Sequence, residues 1–141
     1  MYISRRSLGN DEHHGSTKLH IDMTDTVDIM VWAPSLPGEN YALWQIFPQA
    51  ASPLICEFLR ATHYGNLSDT EHPIHSQAVY FTPVMFEQLY AMCGIRPFTI
   101  RQQIGETIFI PAGCAHQACD AFDMHRNLVA SLTLHPGQQT A

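Results

Sequence analysis

The stretch GSTKLHIDMTDTVDIMVWA (residues 15–33) sets His20 and Asp22 two positions apart at the mouth of an apolar run. Residues 27–33, VDIMVWA, are β-branched, aromatic and apolar, and Pro34 stops them, so the run predicts a strand. A strand sends side chains i and i+2 to one face, so an extended His-Ile-Asp presents an imidazole and a carboxylate to one interior. With nine His and seven Asp in 141 residues, an H-x-D triplet arises by chance about 0.4 times, so the triplet alone is weak. Its place at the head of an apolar strand makes it a candidate pair of metal ligands.

Outward from this stretch the chain reads as strands with two helices set among them. YALWQIF (residues 41–47) is a second strand closed by a proline. Ser52 followed by Pro53 predicts a helix start, with Ser52 as the cap and Leu54, Ile55, Phe58 and Leu59 on one face, running to about His63. Thr82-Pro83 repeats the signal for a second helix that ends at Cys93, where Gly94 supplies the stop. After Gly94, FTIRQQ, TIFI, HQACDAF and NLVASLTL predict four more strands, with turns at Gly105 and at Pro111-Ala112-Gly113. The sum is six or seven strands and two helices, β-rich, without βαβ rhythm or repeat. Closing a jelly roll takes about eight strands, so the count falls slightly short.

Composition narrows the function classes. The length of 141 residues allows one domain with a real core. The net charge of −6 and seven scattered basic residues argue against a phosphate-binding surface, and no direct nucleic-acid site is visible. No apolar run approaches the roughly 20 residues of a membrane span, and the N-terminal segment lacks the apolar core of a signal peptide. Cys56, Cys93, Cys114 and Cys119 form no C-x-x-C pair and read as free thiols. Cys114 and Cys119 flank His116, which leaves a zinc site there as an alternative. Trp32, Trp44 and Phe109 read as core before they read as a methyl-lysine cage. Asp25 and Asp28 read as a turn or a strand's outward face, His13 and His14 as solvated loop, and His75 as a capping or packing residue.

A third ligand is needed for the His20–Asp22 pair, and IFIPAGCAHQ offers His116 at the start of a strand, directly after the Pro-Ala-Gly turn. Two imidazoles and one carboxylate on one face of a metal leave the other positions open, the arrangement suited to non-haem Fe(II) and oxygen chemistry. At these residues the sequence resembles the JmjC-domain oxygenases, in particular the hairless-related branch of histone H3 lysine demethylases. TKLHIDMTDTVDIMV is similar to that branch's T-x-L-H-x-D-x-S-D-x-V-x-x-M-V, and IGETIFIPAGCAHQ to its L-G-D-x-x-F-I-P-A-G-x-x-H-Q. ALWQIF, HPIHSQAVYF and the opening Met-Tyr resemble it as well, in the same order along nearly the whole chain.

The resemblance implies a mainly β (α+β) fold: a JmjC, cupin-like double-stranded β-helix with two inserted helices, incomplete at the N-terminus, with residues 1–141 as one domain. It implies an Fe(2+)- and 2-oxoglutarate-dependent dioxygenase that demethylates methyl-lysine of histone H3 by hydroxylating the N-methyl group, which then leaves as formaldehyde. Carried over residue by residue, His20, Asp22 and His116 are the metal-binding and catalytic residues, and Thr17 supplies a hydroxyl near the co-substrate. Partners are then the histone H3 tail or chromatin proteins, and the compartment is the nucleus. The departures define the competing reading, an incomplete or inactive JmjC module that binds metal or chromatin partners without turnover. The chain begins at the family's Met-Tyr, and the insertion before ALW has shrunk to PSLPGEN. Tyr41-Ala42 stands where many members carry a lysine for the distal carboxylate of 2-oxoglutarate, for which Arg126 is the candidate substitute. A zinc-binding structural cupin-like protein is the third class. Missing upstream strands would leave a sheet edge open, most of all along residues 27–33, and favour self-association.

Overall fold

In the computed structural model the described residues are 2–5, 17–32, 41–64, 68, 70–121 and 128–134. They form eight strands: β1 (Tyr2–Arg5), β2 (Thr17–His20), β3 (Thr26–Trp32), β4 (Tyr41–Ile46), β5 (Phe98–Gln102), β6 (Thr107–Ile110), β7 (His116–Ala121) and β8 (Leu128–Leu134). Helices α1 (Ser52–Thr62) and α2 (Pro83–Cys93) lie between β4 and β5. The strands pair into two four-stranded sheets with the orders β1-β8-β3-β6 and β2-β7-β4-β5, every pair antiparallel. Successive strands from β1 to β4 alternate between the sheets, as a jelly roll requires, and the fold is the expected β-rich one with two inserted helices. Neither helix is long and apolar enough to cross a membrane.

The strand count is eight where counting apolar runs predicts six or seven. The additions are Tyr2–Arg5 and the short strand that ends in His20. YISR carries two strand-forming residues, Tyr2 and Ile3, but is too short to signal a strand alone; Tyr2 to Arg5 pair in register with Ser131 to Leu128 of β8. This corrects the expectation that residues 27–33 form an open edge, since β3 is hydrogen-bonded on both sides, to β8 and to β6. Among the described residues the edges are β1 and β6 in one sheet, and β2 and β5 in the other.

Side-chain alternation divides the apolar residues into two clusters. On β3, Thr26, Asp28 and Met30 are buried; on β4, Ala42, Trp44 and Ile46 are. Met30, Ala42, Trp44, Ile46, Ile108, Ile110 and Ala118 make the core between the sheets. A second cluster packs Leu19 of β2 and Phe47 with Ile55, Phe58 and Leu59 of α1, Met85 and Leu89 of α2, and Ile74 and Phe81 from the segment between the helices. The helices therefore cover the outer face of the β2-β7-β4-β5 sheet on its β2-β7 side, while β5 is exposed except at Gln102. Gln117 of β7 ties that face to the helical layer, accepting from Phe81 N at 2.7 Å and donating to Phe81 O at 2.9 Å.

Several local expectations shift. Thr82 caps α2 through its hydroxyl, which accepts from Met85 N, and Gly94 ends it in the left-handed conformation at φ 68°. Ser52 does not cap α1: a 3-10 turn over Gln49–Ala51 precedes the helix, and Ser52 is already helical, its Oγ donating to Gly113 O at 3.5 Å. Leu54 faces solvent at 39 % exposure, so the buried face of α1 is Ile55, Cys56, Phe58 and Leu59. Trp44 is core, but Trp32 and Phe109 are not, at 47 % and 58 % exposure.

Candidate metal centre

His20 is the last residue of β2 and His116 the first of β7, and the two are directly opposed in the register, with Ile46 of β4 next in the row. Alternation sends Leu19 to the helical cluster and His20 to the other face; on β7, Gln117 faces the helical layer while His116 and Ala118 face the interior. The strand ends at His20, so Asp22 sits in the turn beyond it rather than in the extended run that the sequence predicts. The two short runs thus meet at one end of the barrel, 96 residues apart in sequence.

The donor atoms converge. Asp22 Oδ2 lies 3.9 Å from His20 Nε2 and 3.7 Å from His116 Nε2, and the imidazole centroids are 4.1 Å apart. One ligand atom from each residue lies within 4.8 Å of the other two. These separations are too long for hydrogen bonds; donors sharing a cation at about 2.1 Å stand about 3.0 to 3.4 Å apart, so a bound ion would draw the three slightly together.

Each imidazole is held in one tautomer. His20 Nδ1 is 2.8 Å from Lys18 O, and His116 Nδ1 is 3.0 Å from Cys114 O. A carbonyl only accepts, so Nδ1 carries a proton in both rings and Nε2 is the ring nitrogen turned toward Asp22. His116 is 2 % exposed. Burial, and the neighbouring His20 as a second cause, lower its pKa to about 4, against the opposing pulls of the Cys114 carbonyl and Asp22. It is therefore a neutral ligand at pH 7 with no proton to displace. Two Nε2 atoms and a carboxylate oxygen face one another, and this donor set fits a divalent ion held by three protein groups with open positions left over.

The turns that carry the ligands are tied to one another. Gly113 N donates to Asp22 O at 3.0 Å, and Asp25 Oδ1 accepts from Ala112 N at 2.8 Å. Gly113 has φ +78°, and a Cβ there would come within 2.8 Å of the Gln49 side chain, which explains glycine in the Pro-Ala-Gly turn. Asp25 thus has a role across the site that reading it as a simple turn residue misses.

Thr17, half-buried, is paired with Ala118, one row further into the sheet than His20 and next to Trp44. The zinc alternative loses its thiols: Cys119 lies on the β7 face opposite to His116, Cys114 contributes its carbonyl, and neither joins the ligand group. His75 is exposed and stacks on His72, apart from the three ligands. Arg126, His13 and His14 lie outside the described residues.

Sequence reasoning missed the buried amide network behind the site. Trp44 Nε1 donates to Gln102 Oε1 at 2.7 Å, and Gln102 Nε2 reaches Asp28 O, Asp28 Oδ1 and Glu106 O at 3.1 to 3.3 Å. Asp28, expected to face outward, is 2 % exposed in this network. No local signal marks it, because its partner lies 74 residues away in sequence.

With this geometry in view, the likeness to known proteins becomes specific. The chain is 40 % identical over 83 residues to lysine-specific demethylase JMJ26 of Arabidopsis thaliana, covering 54 % of this chain and 10 % of that protein. It is 41 % identical over 83 residues to JMJ29 of the same plant, covering 54 % and 9 %. To lysine-specific demethylase 3A-A of Xenopus laevis it is 28 % identical over 140 residues, covering 76 % of this chain and 10 % of the relative. The chain thus spans about a tenth of the length of these curated relatives. The sequence model of the family described as JmjC domain, hydroxylase, matches residues 12–125, most of the chain, and by that match the chain belongs to the JmjC family.

Proposed function

We propose that residues 1–141 act as one JmjC domain in which His20, Asp22 and His116 hold Fe(2+), and that the domain is a 2-oxoglutarate-dependent dioxygenase demethylating methyl-lysine of histone H3. The observation that supports this most is the convergence of Nε2, Oδ2 and Nε2 at one end of the barrel in a chain of this family. Bound iron with 2-oxoglutarate would supply oxidation by O2, with succinate and CO2 formed and the methyl carbon released as formaldehyde. The chain's own residues position and protect. The carbonyls of Lys18 and Cys114 hold the Nδ1 edge of each ring and so turn both Nε2 atoms toward Asp22, and buried Ile46 and Ala118 keep water from the inner side. Thr17 is the proposed hydroxyl on the co-substrate. The relatives named as lysine-specific demethylases support a histone or chromatin partner and a nuclear location, and a net charge of −6 favours a basic tail.

A second reading is an inactive module that keeps the ligands without turnover. In its favour, Lys18, Arg60, Arg96 and Arg101 are all exposed, so none of these four is placed to hold the distal carboxylate, for which Arg126 is the candidate. The experiment is iron-dependent succinate release from 2-oxoglutarate with a methylated histone H3 peptide. Turnover abolished by Asp22→Ala and by His116→Ala is expected. Tight Fe(2+) binding without succinate would favour the inactive module, and zinc in the purified protein with no 2-oxoglutarate affinity would favour a structural metal site.

A further inference from the structure

The three candidate ligands are not held alike. His20 and His116 each sit on a strand and each has its ring fixed by an Nδ1–H to carbonyl bond. Asp22 has no strand beneath it: it lies in the turn between β2 and β3, and the Gly113 N–H fixes its backbone but not its carboxylate. A carboxylate on a free χ torsion could offer either oxygen, or both, to an ion, and would lose rotamer entropy on binding.

One side chain removes that freedom. Thr26 Oγ1 lies 3.0 Å from Asp22 Oδ2, the same oxygen that faces both imidazoles. The hydroxyl has one proton to give, and the other acceptor beside it among the described residues, Thr24 O, is more distant at 3.4 Å. Thr26 is itself fixed: it is the first residue of β3, pairs with Ile110 of β6, is 2 % exposed, and is β-branched, with a stiff χ1. We infer that Thr26 is the positioning residue of Asp22, its buried hydroxyl fixing Oδ2 toward the two histidines as their Nδ1 bonds fix the rings. The inference rests on the metal reading above and deepens it by assigning the third ligand's support. Support of this kind around a metal ligand is worth about 10- to 100-fold in metal affinity.

The test uses Co2+ as the probe, titrated into metal-free protein and read by its d–d absorption, with the melting of the metal-free protein as control. Thr26→Val keeps the shape and removes the donor; Thr26→Ser keeps the donor and removes a methyl. Thr26→Val should weaken Co2+ binding about 10- to 100-fold and alter the band positions, while Thr26→Ser stays within a few-fold of the parent with its spectrum. If Thr26→Val binds Co2+ with the parent's affinity and spectrum, the positioning role is wrong. If Thr26→Val and Thr26→Ser lose affinity equally, with unchanged bands and equally lowered melting, the residue only packs and the inference fails. If the parent binds no Co2+ and Asp22→Ala changes nothing, the metal reading itself falls, a result distinct from either.

Discussion

The outer faces of the two sheets differ in what lies on them. The β2-β7-β4-β5 sheet, which supplies both candidate histidines, is backed by α1, α2 and a cluster that includes Phe47, Phe58, Phe81, Leu59 and Leu89, each no more than 1 % exposed. The β1-β8-β3-β6 sheet shows solvent Val31 at 56 %, Trp32 at 47 % and Phe109 at 58 % exposure. The difference teaches where precision is needed. Metal ligands must be held to fractions of an ångström, and the strands that carry the two candidate histidines are the ones with a helical layer behind them.

The largest effect should come from breaking that backing. Phe58 is 1 % exposed and packs on Phe81 and Tyr64. Phe58→Ala should cost about 3–5 kcal/mol in urea unfolding through lost contacts and a cavity. Phe109→Ser, an equally drastic change on the other sheet, should stay within about 0.5 kcal/mol. Equal costs would mean that the two faces are packed alike and that the comparison is mistaken.

How much of this was legible in the sequence follows the range of the interactions. Elements set by neighbouring residues read correctly: the proline-closed β4, the Thr82-Pro83 start and Gly94 stop of α2, and the TIFI strand between its turns. His20, Asp22 and His116 were legible as candidates because each sits in a short motif whose spacing carries geometry. What failed depends on distant partners. YISR is a strand only because β8 lies beside it, Asp28 turns inward because Gln102 meets it, and Trp32 and Phe109 stay exposed because nothing among the described residues packs over them. Hydrophobicity alone cannot say whether an apolar strand face finds cover.

Next in size is an effect of pH, centred on the well-backed sheet. Burial lowers the pKa of His116 to about 4, against an ordinary 6.5. The folded protein therefore refuses a proton that the unfolded chain accepts. As pH falls below 6.5 the unfolded state gains, and the stability of the metal-free protein should decline until about pH 4, after which this group contributes no further slope. The full difference is up to about 3 kcal/mol. Denaturant midpoints of metal-free protein across that window, compared with His116→Gln, measure it. A slope that persists unchanged in His116→Gln would assign the effect to other groups.

The smallest effect on stability concerns two edges, β5, which lies outside the helical layer on its own sheet, and β6 of the uncovered sheet. They are joined by the turn at Gly105, and Phe98, Ile100, Ile104 and Phe109 stand 38–66 % exposed along them. Arg101 on β5 is the one charged residue within these two strands, and it lies over the Tyr41 ring. Edges with unpaired backbone groups and apolar side chains recruit other chains unless charge or a bulge interrupts them. The isolated chain should therefore self-associate with rising concentration. Phe98→Lys with Phe109→Lys should leave it monomeric at the same concentrations, because lysine on an edge blocks pairing at little cost to the fold. Sedimentation velocity gives the mass, and thermal melts confirm that stability is unchanged. A parent chain that is monomeric at every concentration would show that this exposed apolar surface does not bind a second copy, and the contrast between the two sheets would then be one of rigidity alone.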